Sequence, residues 1–442
     1  VHPADSEEHS TSDDFEIRLK PLDGTPEVLS RREDIIAAGK ALRDGRGLLA
    51  VDTERASAFR YDDRAFLIQL RRRGAGTFLI DPELGRAAIS QLGGYLNDLT
   101  WIIHAAPSDL PCLAALGLYP DKLIDTELAG RLLGARRANL AALTEEFLNV
   151  GLAKGHGQEN WSKRPLPEEW LDYAALDVEL LEELAIVLTD ALGELGRYEW
   201  LEQECAHMLH ENQKYSAGLD IDQDWRRLKG VGKLRQPRQL NIARALWEER
   251  DRIARARDLS PTKILPHQTL RAIAESVPTS QRELGAIRGF PRKKHGASES
   301  WFRVIDRALH SPSASWPRAE RSEKGNALHF KKWVEHAPAA AALYDRAHAA
   351  INVATEGLGI RPDLVITSAQ TCELVWWMHT TAEESWPNRS HSDYARGLPD
   401  AADIFDFLST RGARPWQAEF LSDVIGEQVL LPMRNTEEIS GV

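Results

Sequence analysis

The 442-residue chain reads as one α/β domain with a mixed sheet flanked by helices, followed by two small all-α domains. Three observations predict this. Short aliphatic and β-branched runs alternate with longer helical patterns up to about residue 192. No convincing strand follows from about Glu199 onward, and repeated prolines interrupt the helical sequence beyond that point.

Residues 1–14 are acidic and polar and are expected to be disordered. Within 15–195, Gly47–Thr53, Ala65–Leu70 and Thr77–Asp81 predict three strands with turn signals between them, and Trp101–His104 predicts a fourth. Helical patterns follow at about 109–117, 126–134, 139–148 and 167–192. Three strands in close succession predict an antiparallel hairpin at one side of the sheet. Breaks at Pro237, Pro261, Pro266, Pro278, Pro291 and Pro312 divide a first helical domain over 196–312. The Ser- and Pro-rich stretch from Ser311 makes 313–327 read as a linker. A second helical domain spans 328–430, and 431–442 reads as a frayed acidic tail.

The net charge is −12, and no apolar run approaches the ~20 residues of a membrane span. The first residues show neither the basic head nor the apolar stretch of a secretory signal. Cys112, Cys205 and Cys372 are odd in number and far apart, which argues against a disulfide framework and a Cys-rich zinc site. A reducing, cytoplasmic setting is expected. The charge is uneven: 224–307 holds 20 Lys and Arg against 9 Asp and Glu, leaving −23 for the rest. Such a basic helical block is a plausible footprint for a polyanion, although a solvated arginine-rich face has the same composition. Arg226, Arg227, Lys229, Arg235 and Lys263 are the candidate nucleic-acid contacts, and binding through them would weaken steeply with salt. Trp225 and Trp247 read as helix core more than as stacking platforms.

Three acidic signals carry the chemistry. In Val51-Asp52-Thr53-Glu54, at the end of an apolar run, Asp52 and Glu54 are two apart and share one face of a strand. Carboxylates that close repel unless a cation lies between them, though alone the motif also fits a polar turn. A loop after His104 leads to Asp109 at a helix start, where an Asp is also an ordinary N-cap. Tyr173 and Asp177 are four apart and share one helical face, whereas Asp172 and Glu179 read as incidental polar residues.

Their order is Asp-x-Glu, an Asp 55 residues after Glu54, and Tyr-x-x-x-Asp beginning 64 residues later. So ordered, the chain resembles the tyrosine-bearing branch of the DEDD exonuclease superfamily, and within it the ribonuclease D family. Leu67-Ile68-Gln69-Leu70, Ile124-Asp125-Thr126 and Trp161-Ser162-Lys163-Arg164-Pro165-Leu166 look like that family too. The stretch from Arg244 to Pro266 is similar to the helicase-and-ribonuclease-D C-terminal (HRDC) module. The last block, ending in Gly412-Ala413-Arg414-Pro415-Trp416-Gln417, looks like a second, divergent copy. The chain's alanine- and arginine-rich composition and the wording of its motifs resemble actinobacterial members.

The resemblance implies a ribonuclease-H-like exonuclease domain followed by two HRDC-like domains. It implies hydrolysis of RNA from the 3′ end to nucleoside 5′-monophosphates, with tRNA precursors and other stable RNAs as substrates bearing a free 3′ end. It implies two divalent ions, Mg²⁺ or Mn²⁺, on Asp52, Glu54, Asp109 and Asp177. Asp52 would bridge, Asp109 would reach the second ion mainly through water, and Tyr173 would orient the attacking water. Thr53 and His104 are candidate substrate contacts. No obligate protein partner or membrane is implied, and a monomer is expected. Arg55 departs from the family, which often has Phe there, as does Asn160, where Asp often precedes Trp-Ser. A DNA-directed exonuclease and a non-catalytic nucleic-acid-binding protein remain the alternative readings.

Overall fold

The computed structural model describes residues 16–152, 155–219, 224–292, 296–319, 330–385 and 391–439. The α/β domain contains strands β1 (Glu16–Arg18), β2 (Val28–Leu29), β3 (Arg46–Arg55), β4 (Ala65–Arg73), β5 (Gly76–Ile80), β6 (Thr100–Ile103), β7 (Lys122–Asp125) and β8 (Val150–Leu152). Six of them form one sheet in the order β2-β5-β4-β3-β6-β7, and β1 and β8 form a separate parallel pair. Only β4 runs antiparallel to its neighbours, so the sheet is mixed. The expected hairpin is there but does not lie at the edge, because the two-residue β2 adds outside β5.

Alternation along β3 sends Leu49 and Val51 to one face of the sheet and Ala50, Asp52 and Glu54 to the other. Helices α1 (Arg32–Asp44), α2 (Arg86–Leu96) and α3 (Leu110–Ala114) share a core with the first face. Ile35, Leu42, Ile89, Leu92 and Leu113 meet Leu49, Val51, Ile68, Leu70 and Ile80 there. Each such fully buried aliphatic side chain contributes about 1.5–3 kcal/mol relative to exposure. Past α4 (Thr126–Leu133) and α5 (Leu140–Leu148), helices α6 (Glu168–Glu179) and α7 (Leu181–Glu194) cover the opposite face. Trp170, Ala174 and Ala175 pack on Leu67 and Leu79, and Val178, Leu181 and Ala185 pack on Ala50 and Ile102. The single helical pattern expected at 167–192 is therefore two helices, broken at Leu180 (φ −104°, ψ 3°).

Asp172 and Glu179 are buried rather than incidental. Asp172 takes the Thr25 hydroxyl and the Lys20 ammonium, while Glu179 takes the Leu22 amide and the Arg18 guanidinium. Together they tie segment 18–25 to α6. Sequence spacing concealed this because their partners lie about 150 residues upstream.

The helix α8 (Tyr198–Asn212), expected at the start of the basic domain, packs on β7 and joins the α/β core through Leu201 and Cys205. The basic domain consists of α9 (Pro237–Arg257), α10 (Pro261–Ile264), α11 (His267–Ser276), α12 (Gln281–Ala286) and α13 (Ala297–His310) around its own core. Trp225 is buried in that core and Trp247 packs on it. Of the expected linker, Trp316 is fixed by bonds from its indole to Ser311, and 320–327 lie outside the described residues, as do 1–14. The last block contains α14 (Trp333–His336), α15 (Pro338–Gly357), α16 (Ser368–Ser385), α17 (His391–Gly397), α18 (Ala401–Thr410), α19 (Pro415–Ile425) and α20 (Leu431–Ile439). The supposed tail is thus helical to 439, and Arg434 reaches the Leu398 carbonyl. This block docks on α8: Glu204 accepts from Arg414 and from the Trp416 indole, and Trp200 stacks on Trp416 at 4.6 Å.

The basic domain clasps the loop that leaves β3. Asp258, in a left-handed conformation (φ 47°), accepts from Arg60 (3.0 Å), from both Arg64 nitrogens (3.1 and 2.8 Å) and from the Tyr61 amide. Tyr61 Oη donates to Asp251 at 2.8 Å, and Lys263 lies 4.2 Å over the Phe59 ring. Arg64 holds the Asp258 carboxyl below its ordinary value of 3.8. A depressed acid stabilises fully above that value and loses its contribution as pH falls through the lower one. The cluster is partly exposed, so Asp258→Ala should cost only about 1 kcal/mol. The expected result is faster proteolysis between the two domains at neutral pH, with the wild type converging on the variant in strong acid.

Candidate active site

Asp52 and Glu54 project from the end of β3 beneath α6, which supplies Tyr173 and Asp177 from adjacent turns. One carboxylate oxygen from each of Asp52, Glu54 and Asp177 lies within 4.8 Å of the other two. Burial, then Asp109 and Asp177, pushes the Asp52 carboxyl well above the ordinary range. Burial, then Asp52, Asp177 and Asp109, does the same for Glu54. Asp177 is pushed up to about 7 by burial, with the Tyr173 hydroxyl beside it pulling the other way. Arg55, at the end of β3, offsets part of this at Asp52 and Glu54. Among the described residues no lysine or arginine forms an ion pair with the three. Hard carboxylate oxygens gathered this closely, without a basic partner, suit a divalent cation of the Mg²⁺ or Mn²⁺ kind.

Asp109 stands apart from that group. It precedes α3, but its side chain does not cap the helix. Instead it accepts from Thr53 Oγ1 at 2.5 Å, with Cys112 Sγ 3.4 Å from the same hydroxyl. Burial raises Asp109 to about 6, and the Thr53 hydrogen bond restrains the rise. Thr53, expected at the substrate, is buried and holds Asp109. Its hydroxyl is committed within the protein. His104 is likewise turned inward, with Nδ1 2.9 Å from Thr126 Oγ1, and burial lowers its pKa to about 4.

Asp125, quoted in the sequence only as part of a motif, organises this side of the site. Its carboxylate caps α4 at Glu127 and Leu128 and also accepts from the amides of Ala105 and Ala106. Those bonds fix the turn between β6 and Asp109, in which Ala105 adopts a left-handed conformation (φ 57°). Its position after a short strand carried the N-cap signal, but its reach across to the preceding loop was not visible in spacing.

Tyr173 is covered by the segment around Gly155. A Cβ at Gly155 would lie 2.3 Å from Tyr173 Cδ2, and one at Gly157 3.5 Å from the phenol oxygen. The His156 ring stands edge-on to Tyr173 at 5.9 Å, and the His156 carbonyl accepts from the indole of fully buried Trp161. Burial, then the charges of Asp177, Glu54 and Asp52, pushes the Tyr173 phenol far up, so it stays protonated. At the departures from the family, Asn160 accepts from the Ser162 hydroxyl, while Arg55 acts on the acids by charge.

The basic candidates differ in their surroundings. Arg226 lies 4.5 Å over the Trp225 ring, Lys229 and Arg235 are exposed, and Lys263 sits at the seam with Phe59.

Three outcomes follow from the site itself. The acids are raised above their unfolded values, so the folded state holds more protons than the unfolded state between about pH 4 and 7. Stability of the metal-free protein should therefore fall as pH rises through that window. Since bound ions require the deprotonated acids, Mn²⁺ should raise the melting temperature more at pH 8 than at pH 5. Equal shifts at both pH values would contradict the arrangement. Gly155→Ala should displace the Tyr173 ring and lower kcat by about tenfold or more with little change in KM, measured by initial rates.

Residues 28–193 match a family model described as 3′-5′ exonuclease, 239–297 match the HRDC domain, and 327–429 match a 3′ to 5′ exonuclease C-terminal domain. Ribonuclease D of Pseudomonas paraeruginosa is 31% identical over 66% of this chain and 78% of its own length. A solved structure of a protein from Bifidobacterium adolescentis is 30% identical, with a TM-score of 0.78, covering 94% of this chain and 99% of that one. Escherichia coli RNase D, at 23% identity and a TM-score of 0.62, shares the fold over 91% of this chain and 98% of its own. Among the described residues no helix is long and apolar enough to cross a membrane. Sequence and fold together place the chain in the ribonuclease D family of 3′→5′ exoribonucleases.

Proposed function

We propose that this chain trims RNA 3′ ends by two-metal hydrolysis, releasing nucleoside 5′-monophosphates, with tRNA precursors and other stable RNAs as its substrates. The observation that carries the reading is the meeting of Asp52, Glu54 and Asp177 within 4.8 Å beside Tyr173. Asp52, Glu54 and Asp177 would hold one Mg²⁺ or Mn²⁺, with Asp109 serving a second through water and Asp52 shared between them. Bound ions of this kind supply an activated water and charge stabilisation for the departing 3′ oxygen.

The chain's own residues divide the remaining work. Protonated Tyr173 positions water by hydrogen bonding and takes no proton from it. Thr53 and Asp125 hold Asp109 and its loop from behind. Arg226, Arg227, Lys229 and Arg235, on the basic domain, would meet the RNA backbone by charge, which accounts for a basic module on an acidic protein.

The decisive measurement follows a 5′-labelled RNA with an unstructured 3′ tail, alongside a matched single-stranded DNA, in Mn²⁺ and in chelator. A ladder shortening from the 3′ side only with metal, faster on RNA, is expected. Faster cleavage of the DNA would reassign the substrate. Asp52→Ala and Asp177→Ala should keep the fold and lose nearly all activity, while Tyr173→Phe should slow the chemical step by about 10²-fold and retain metal binding. Full activity in Asp52→Ala would refute the assignment.

A further inference from the structure

Gln69, in the middle of β4, has a fully buried side chain, and neither its Oε1 nor its Nε2 meets a hydrogen-bond partner. Buried amides in folded proteins are almost always satisfied, and a leucine or methionine would fill similar volume without stranding two polar atoms. The strand register supplies a reason for an amide here. Gln69 pairs directly with Asp52 across β3 and β4. Residues so opposed point to the same face, with Cβ atoms about 4.5–5.5 Å apart. On its other side Gln69 pairs with Leu79, and α6 packs over β3, β4 and β5 on the same face. Leu67, Leu79, Ala174 and Ala175 make that surrounding layer apolar, and Asp52 is the acid in register opposite Gln69.

We propose that Gln69 is a positioning residue of the acidic site: its amide N–H donates to the Asp52 carboxylate through one ordered water and holds it in the ligating orientation. This rests on the metal site proposed above. An amide suits the task because it donates without bringing a positive charge that would repel a cation. A hydrogen bond from a neighbouring group to a ligating carboxylate fixes the direction in which its oxygens point.

The test uses full-length Gln69→Leu and Gln69→Met, with Mn²⁺ titrated calorimetrically in the absence of RNA, metal-free thermal melts, and initial rates on RNA. Mn²⁺ affinity should fall about tenfold or more, and kcat by a similar factor with KM unchanged. The metal-free melting temperature should stay level or rise, since the stranded amide is gone. Wild-type Mn²⁺ affinity and kcat in either variant would overturn the proposal and leave Gln69 a packing residue. Asp52→Ala in the same titration separates the two claims: if it binds Mn²⁺ like wild type, the metal-site reading has failed.

Discussion

Repulsion among carboxylates is the constraint around which this molecule is organised. Asp52, Glu54 and Asp177 are brought within 4.8 Å of one another under a buried helix, and burial makes each charge costlier still. Such a group persists only if the surrounding structure over-determines it. β3 is paired with β4 as far as Arg55 and with β6 at Leu49 and Ala50, and its middle is packed on both faces, which anchors the acidic end. α6 is pinned at its far side by Asp172 and Glu179, whose partners come from the N-terminal segment. The most crowded acids therefore sit on two of the best-supported elements.

The helical domains extend that support. The loop leaving β3 begins one residue after Arg55 and runs through Phe59, Tyr61 and Arg64, each of which contacts the basic domain. Arg60 binds Asp258 on one side and Ser162 on the other, and Ser162 follows the buried Trp161 that anchors the segment over Tyr173. One guanidinium thus links the basic domain, the exit from the acidic strand and the cover of the phenol. The last helical block reaches the sheet through α8, with Arg197 donating to both the Leu132 and Leu358 carbonyls. A charged module that only tethered RNA would not need such seams, so these domains also have a structural duty toward the catalytic one.

Much of this was legible in the sequence, and the boundary of legibility has a physical origin. The β3, β4 and β5 runs carry strong apolar signals bounded by turns, and the Asp-x-Glu and Tyr-x-x-x-Asp spacings place four residues on faces that local geometry dictates. The two-residue β2 is too short for periodicity, and its pairing with β5 is a long-range event. Thr53 alternates away from Asp52 and Glu54, and only the fold shows that its neighbour there is Asp109. Gln69 lies in a run that reads as plain core, and the register with Asp52 is what gives its amide meaning. The break at Leu180 is likewise invisible to an uninterrupted helical pattern.

The protonation states impose a last step on the chemistry. Tyr173 is held far above neutrality, His104 is lowered to about 4 and bonded to Thr126, and Asp177 is raised to about 7. The phenol therefore has no tendency to accept a proton from water, and the imidazole is neutral but committed elsewhere. The acids hold protons in competition with whatever cation would replace them. Left to Tyr173 and His104 alone, water at the end of β3 would meet no effective base near neutral pH. What the side chains do provide is a set of oxygens fixed in place before any charge arrives, at a point where added positive charge relieves stored repulsion. In the two-metal reading proposed above, relief of that repulsion, more than any one strong ligand, is what a small, highly charged cation would gain at the site.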